Sequence, residues 1–463
     1  MSLIPPGRPC SSTQPDLAYS IPAQSEAPIG TPAHALESPS RWSRPLRVAF
    51  RFSFIYLGLY CLTTQIFTSL LPIPEVETPE LDILPPLRNL VFWTASHVFG
   101  ISTPLVYTGS GSGDKTFDWI YAFCLLVLAA LATAFWSALD RARANHVSLH
   151  KWFRLFIRFG LAGQMLTYGM AKVVPLQMPF PFVKLTEPLG DFSPMGLLWT
   201  FIGASPTYET FVGCAEMLGG LLLILPSTAM FGALVSLAAM VHVFMLNMTY
   251  DVPVKLLSFH LILLALVLLA PDLRRLTRFF LLNRAVEPST APPLFASPRA
   301  NRLALAAQAV FGVLLVAAAI YGCWEQWYAF GGGYTKSQLY GIWDVTEFST
   351  DGQSRPPLVT DAGRWRRAIF SDPTRVRLQL MDNSFLRYAS AIKPADSTLT
   401  LTKDGDKDWK AAFTFQRRAP DQLSLEGDMD GHKLHVDLRL VDPNKFLLIN
   451  RGFHWVQEYP FNR

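Results

Sequence analysis

Between Leu155 and Leu269 four apolar runs follow one another, at about 155–174, 207–225, 228–248 and 254–270. About 20 apolar residues are the length of a helix that crosses a bilayer. Each run also holds side chains that lipid penalises. Lys172 ends the first, Glu216 lies midway along the second, His242 interrupts the third, and Lys255 and His260 enter the fourth. A charge at the centre of a helix in lipid costs about 2.5–3.5 kcal/mol on insertion scales, so such residues mark a functional site by default.

Only 16% of the 463 residues are charged, against about 25% in soluble domains. The expectation is an integral membrane protein whose first partner is the lipid bilayer. The net charge of +5 sits largely beside apolar runs, where it orients them, and no nucleic-acid motif accompanies it. The five cysteines form neither a CxxC pair nor a metal-ligand spacing, so no metal site is expected.

Residues 1–44 are rich in Pro, Ser and Ala and read as a disordered cytoplasmic tail. Residues 45–145 hold a span at Val48 to Leu71, an acidic connector with Glu75, Glu77, Glu80 and Asp82, an interfacial or re-entrant piece at Leu87 to Tyr107, and a span at Phe117 to Leu139. The four-run bundle occupies 150–280, with a short apolar piece at Ser193 to Gly203 between its first two runs. Residues 281–335 add a basic loop and a last span, Leu303 to Tyr321. Basic flanks precede the first span and recur at 141–158 and 274–302, whereas 72–116, 175–206 and 249–254 are acidic or charge-poor. The positive-inside rule then gives seven spans, with the N-terminus cytoplasmic and the C-terminal domain outside.

From about Leu339 the material changes. Short alternating runs at Arg375 to Met381, Thr398 to Thr402, Ala411 to Gln416, Leu423 to Gly427, Lys433 to Val441, Lys445 to Asn450 and His454 to Tyr459 are separated by turn signals such as Asp430-Gly431. Period two with tight turns is an antiparallel meander, and about eight such strands suit a small up-and-down barrel. The fold class expected is a mainly α polytopic membrane protein with a C-terminal antiparallel β-barrel-like domain at 336–463.

Three stretches of the bundle, Leu161 to Pro179, Cys214 to Leu225 and Asn247 to Leu276, resemble the DoxX family of small membrane proteins. That family includes subunits of a thiosulfate:quinone oxidoreductase. The Tyr-Asp-x-Pro-x-Lys connector before a helix ending in Pro-Asp carries most of the likeness. The resemblance implies a four-helix transmembrane bundle, an association with redox chemistry and a bacterial inner membrane. It assigns no catalytic residues. The segment Leu339 to Phe348, with Gly341 and Trp343, resembles the first strand of lipocalin-like domains, in which the Trp closes the base of the barrel.

Glu209, Gly213, Glu216 and Gly220 are spaced to share one helix face, and the glycines let another helix approach. Glu216 and His242 are the candidate catalytic residues, as proton-handling groups. Tyr168, Lys172, Asn247, Tyr250, Asp251, Lys255 and His260 fall in the outer part of the bundle and are the candidate ligand-binding set. Packing readings stand beside these: Asp251 and Lys255 at four-residue spacing form a local ion pair, Lys172 snorkels, and Glu216 bonds a neighbouring helix. The expected function is binding of a quinone or other lipid-soluble small molecule near the outer leaflet, with a redox partner subunit. The alternative is a non-enzymatic membrane scaffold or lipid-binding module.

Overall fold

The computed structural model describes residues 41–71, 80–180, 182–288, 292–372 and 374–462. The tail at 1–40 and the acidic residues Glu75 and Glu77 lie outside them.

The helices, in chain order, are α1 (Arg44–Thr63), α2 (Gln65–Thr68), α3 (Pro85–His97), α4 (Thr116–Leu139), α5 (Val147–Val173), α6 (Pro194–Gly203), α7 (Pro206–Ile224), α8 (Ala229–Thr249), α9 (Lys255–Leu269), α10 (Leu273–Leu276), α11 (Pro298–Ala329) and α12 (Leu447–Asn450). Proline stands in the first turn of α1, α3, α6, α7 and α11, where its missing N–H costs nothing. Among the described residues six helices are long and apolar enough to cross a membrane: α1, α4, α7, α8, the run Lys255–Leu281 that α9 opens, and α11. Leu131, Phe135, Phe211 and Val313 on these helices are exposed. Exposed apolar side chains on helices of this length fit a lipid environment, and the chain is a multi-pass membrane protein. The α3 helix has 13 residues and α6 has 10, both short of the span length.

Helix α5 is as long as the spans, at 27 residues, but carries Lys151, Arg154, Arg158 and Lys172. It lies inside the bundle and packs along α7. The α7 face built from Glu209, Gly213, Glu216 and Gly220 is buried. A Cβ on Gly213 would lie 2.6 Å from the Val173 nitrogen and 2.7 Å from the Gly169 oxygen, so only glycine permits this backbone approach.

The strands are β1 (Gly341–Thr350), β2 (Gln353–Ser354), β3 (Trp365–Phe370), β4 (Arg375–Leu380), β5 (Phe385–Lys393), β6 (Thr398–Lys403), β7 (Asp406–Ala419), β8 (Gln422–Met429) and β9 (His432–Leu440). Consecutive strands from β3 to β9 pair antiparallel, and β1 pairs with both β3 and β9. That closes an eight-stranded barrel, with β2 a two-residue extension paired to the end of β1. Alternate residues point inward, as with Leu434, Val436 and Leu438 of β9, and Phe348, Trp365 and Phe413 fill the interior. Trp343 is fully buried and donates its indole N–H to the Leu339 carbonyl at 2.8 Å. The Arg417 guanidinium lies over its ring at 5.6 Å.

Two runs expected as strands are not strands. Lys445 to Asn450 forms a turn and the short α12, because Pro443 opens a helical turn there. His454 to Tyr459 is irregular and exposed. The β1–β9 pairing leaves no free main edge for either to join. Conversely, β3 and β5 occupy stretches without a clean alternating pattern. The barrel meets the bundle at the α5–α6 connector, where Val183 packs with Ile342 and Ile369. Gln379 Nε2 donates to the Thr186 carbonyl there at 2.9 Å.

Candidate ligand cavity in the helix bundle

A cavity of about 220 Å³ opens among α5, α6, α7, α8 and α9. Its wall is mainly apolar, with Met165, Leu198, Trp199, Met240 and Leu261, and the polar residues Gln164, Tyr168, Lys172, Glu216, His242 and Asn247 also line it. Gln164, Tyr168 and Lys172 recur every four residues and so share one face of α5.

Lys172 does not reach for solvent. Its Nζ donates to Glu216 Oε2 at 2.7 Å, and the two side chains are 7% and 1% exposed. The same ammonium contacts the Tyr168 carbonyl at 3.4 Å and lies 5.8 Å from the Tyr168 ring centroid. The second oxygen of Glu216 has no hydrogen-bond partner among the described residues, and neither have the side-chain oxygens of Gln164 and Gln177, which line the same cavity. Buried polar atoms left unpaired cost about 1–3 kcal/mol each. The wall therefore presents three acceptors that a ligand hydroxyl or ordered water would satisfy. Glu209, nearer the start of α7, does not line this cavity; its Oε1 accepts from the Met178 N–H at 3.0 Å, and its Oε2 has no hydrogen-bond partner among the described residues.

The other expected residues divide. Asn247 lines the cavity and holds α9 through its amide, which donates to Ser258 Oγ at 3.0 Å and the Val254 carbonyl at 3.3 Å. His242 lines the rim but is otherwise exposed on α8, and no hydrogen bond joins it to Glu216. His260 faces away from the cavity. Its ring stacks on Tyr60 at 3.6 Å and bonds Tyr56 Oη at 2.9 Å and the Leu256 carbonyl at 2.7 Å. Tyr250 packs beside Val252, Ile202 and Met178. Asp251, in the left-handed region at φ 52°, is exposed and pairs with Lys255 at 2.9 Å. Lys255 is held again from the α3–α4 loop, because Asp114 accepts from the Lys255 and Leu256 N–H groups at 2.8 and 2.9 Å. This caps the otherwise uncapped N-terminus of α9. Asp114, Gln164 and Ser258 were not singled out in the sequence. For Gln164 the four-residue spacing to Tyr168 and Lys172 was an available signal. Among the described residues no group of three or more His, Cys, Asp and Glu side chains is placed to hold a metal.

A second cavity of about 240 Å³ adjoins the first, sharing Tyr168, Val254 and Leu257, and is lined by Glu80, Asp82, Lys115 and Asp118. Asp82 Oδ1 is buried without a partner. Burial, and secondarily the neighbouring carboxylates Glu80 and Asp118, push its pKa up to about 7 from the ordinary 3.8. The folded state thus binds the proton more tightly than the unfolded state, which makes a contribution to stability that is full below about pH 4 and lost as pH rises through about 7. Melting curves between pH 4 and 8 should show wild type losing stability relative to Asp82→Asn over that window. Parallel curves would show that Asp82 is ionised throughout.

The fold defines a multi-pass helical membrane protein with an appended antiparallel β-barrel. Over 140 residues, 30% of this chain, it is 34% identical to the uncharacterized protein YwoB of Bacillus subtilis (strain 168), of which the match covers 86%. The chain belongs to the same family as YwoB. No protein-family model matches it, and no solved structure does.

Proposed function

We propose that this is a DoxX-like membrane protein that binds a quinone-class or similar lipid-soluble ligand in the bundle cavity, as a component of membrane redox chemistry. The observation that carries the reading is the Lys172–Glu216 pair, an ion pair buried in the wall of an apolar cavity. Such pairs are costly to desolvate, and ionisable residues in spans are kept chiefly for function. A dry cavity of about 150 Å³ accommodates benzene, so about 220 Å³ takes one substituted ring and leaves a lipid tail outside. The free acceptors Glu216 Oε1 and Gln164 Oε1 suit the two hydroxyls of a reduced quinone. Tyr168, whose hydroxyl accepts from Gln65 Nε2 at 3.2 Å, retains its own proton to donate. When bound, a quinone would supply two-electron, two-proton chemistry. Glu216 would hold or take a proton at Oε1, and Lys172 would fix its orientation.

In this reading α5 is a seventh span. Its Arg154 end contacts Asp272 beyond α9 at 3.8 Å, and its Lys172 end meets α7, so it runs the depth of the bundle. With basic flanks inside, the N-terminus is cytoplasmic and the barrel extracytoplasmic, in a bacterial inner membrane, where the barrel caps the bundle. The hydrogen bond Gln379 donates to Thr186 of the α5–α6 connector supports the capping role.

The test is solvent extraction of the purified intact protein followed by mass spectrometry. Wild type should carry a quinone that Glu216→Gln loses while remaining folded. If no quinone or other chromophore is found, and Glu216→Gln with His242→Ala leaves quinone-linked respiration of the host unchanged, the redox reading fails. The close Gly213–Gly169 approach favours the second reading, a scaffold in which the pair only locks α5 to α7. That reading expects Glu216→Gln to lower stability without altering what copurifies.

A further inference from the structure

We propose that a third, basic cavity at the opposite end of the bundle from Lys172 and Glu216 binds a phosphate group. This cavity, of about 320 Å³, is lined by Lys151, Arg154, Arg158 and Arg275 with the single carboxylate Asp272. Asp272 is already taken, by Arg275 at 2.6 Å and by Arg154 at 3.8 Å. Lys151 donates to the Pro293 and Leu294 carbonyls at 2.8 and 3.1 Å, which takes two of its three N–H groups. Arg158 is left over. It is only 7% exposed, its side-chain hydrogen-bond partner among the described residues is the neutral amide oxygen of Gln308, its guanidinium lies 5.2 Å from the Phe159 ring centroid, and its Nε donor has no hydrogen-bond partner, so no anion faces it.

A buried guanidinium facing a cavity with no free carboxylate calls for an anion from outside. The guanidinium is a planar fork of donors that matches phosphate oxygens in pairs. Ala229, the first residue of the 21-residue α8, also lines the cavity, adding the positive end of a helix dipole. The same chemistry would serve a phosphate on a lipid headgroup of the adjoining leaflet or one on a small solute. Nothing in this inference depends on a ligand in the Lys172–Glu216 cavity.

The test compares melting temperatures of the full chain in phosphatidylcholine nanodiscs. One arm adds inorganic phosphate against chloride at equal ionic strength, and the other incorporates phosphatidic acid. The key variant is Gln308→Glu, which supplies a built-in carboxylate beside Arg158; Arg158→Gln is the second. We expect Gln308→Glu to melt above wild type without phosphate and to bind phosphate at least about tenfold more weakly, the equivalent of about one charged hydrogen bond. Protection by inorganic phosphate would identify a solute site, and protection by phosphatidic acid alone a headgroup site; either supports the proposal when Gln308→Glu removes it. Failure of both to protect wild type, or equal protection of wild type and Gln308→Glu, would overturn it.

Discussion

Replacing Lys172 by Met should destabilise the bundle by about 3–5 kcal/mol, because it strands the Glu216 carboxylate in a dry wall. Lys172 is the one partner of the carboxylate among the described residues. Glu216 is 1% exposed, its Oε2 meets Lys172 at 2.7 Å, and its other oxygen has no partner. Glu216→Leu should cost a similar amount by stranding the ammonium. The double variant Lys172→Met/Glu216→Leu should recover most of the loss or exceed wild type, since replacing a buried pair by apolar groups is often neutral or stabilising. Unfolding by SDS titration would give the coupling energy of the cycle. Singles as stable as wild type, or a double no better than the worse single, would mean that the pair is not the interaction drawn here. The cycle also separates stability from function: a recovered double variant has the fold but lacks both charges, so any ligand that needs them is lost from a stable protein.

The members of this pair were legible as costly residues in apolar runs, yet their partnership was not. They stand 44 positions apart, and hydropathy states the price of a charge without saying which residue neutralises it. Direction around a helix was equally hidden in α8 and α9, which are apolar on all sides. Nothing in their pattern turned His242 to the rim or His260 toward Tyr60. Arg158 lay close enough to Arg154 to look like part of a basic loop, whereas helix geometry carries it one turn deeper, into the bundle. Gly213 was readable because small residues at helix spacing have a direct steric meaning, and the Val173 and Gly169 backbone contacts bear that out. In the barrel, β6 and β9 alternate cleanly and were found. In β5 most positions are exposed or half-buried on both faces, which erases the period-two signal. The two false strands at the C-terminus were apolar enough, but a closed barrel offers them no edge.

Closure also concentrates barrel stability in a few side chains, and Trp343→Ala should remove about 3–5 kcal/mol from that domain, the range for deleting a buried large aromatic. Trp343 is fully buried, its N–H is spent on the Leu339 carbonyl, and Arg417 stacks over its face. Truncation therefore opens a cavity, leaves a buried carbonyl without its donor and removes the ring from under the Arg417 guanidinium at once. Domains have only about 5–15 kcal/mol in total, and each 1.4 kcal/mol is about tenfold in population, so the open fraction of the barrel would rise by about 10²–10³-fold. Limited trypsin digestion should cut within 341–440 in Trp343→Ala well before wild type, with the helical part intact, while Trp343→Phe retains most of the resistance. Equal resistance of Trp343→Ala would show that the ring carries no such load. The variant also bears on the barrel's role, because the barrel reaches the bundle through Val183 and Thr186 on the connector between α5 and α6. If the barrel caps the cavity, opening it should speed release of a copurified ligand while the Lys172–Glu216 wall stays folded. If the two domains are energetically independent, the ligand should remain bound with the barrel unfolded.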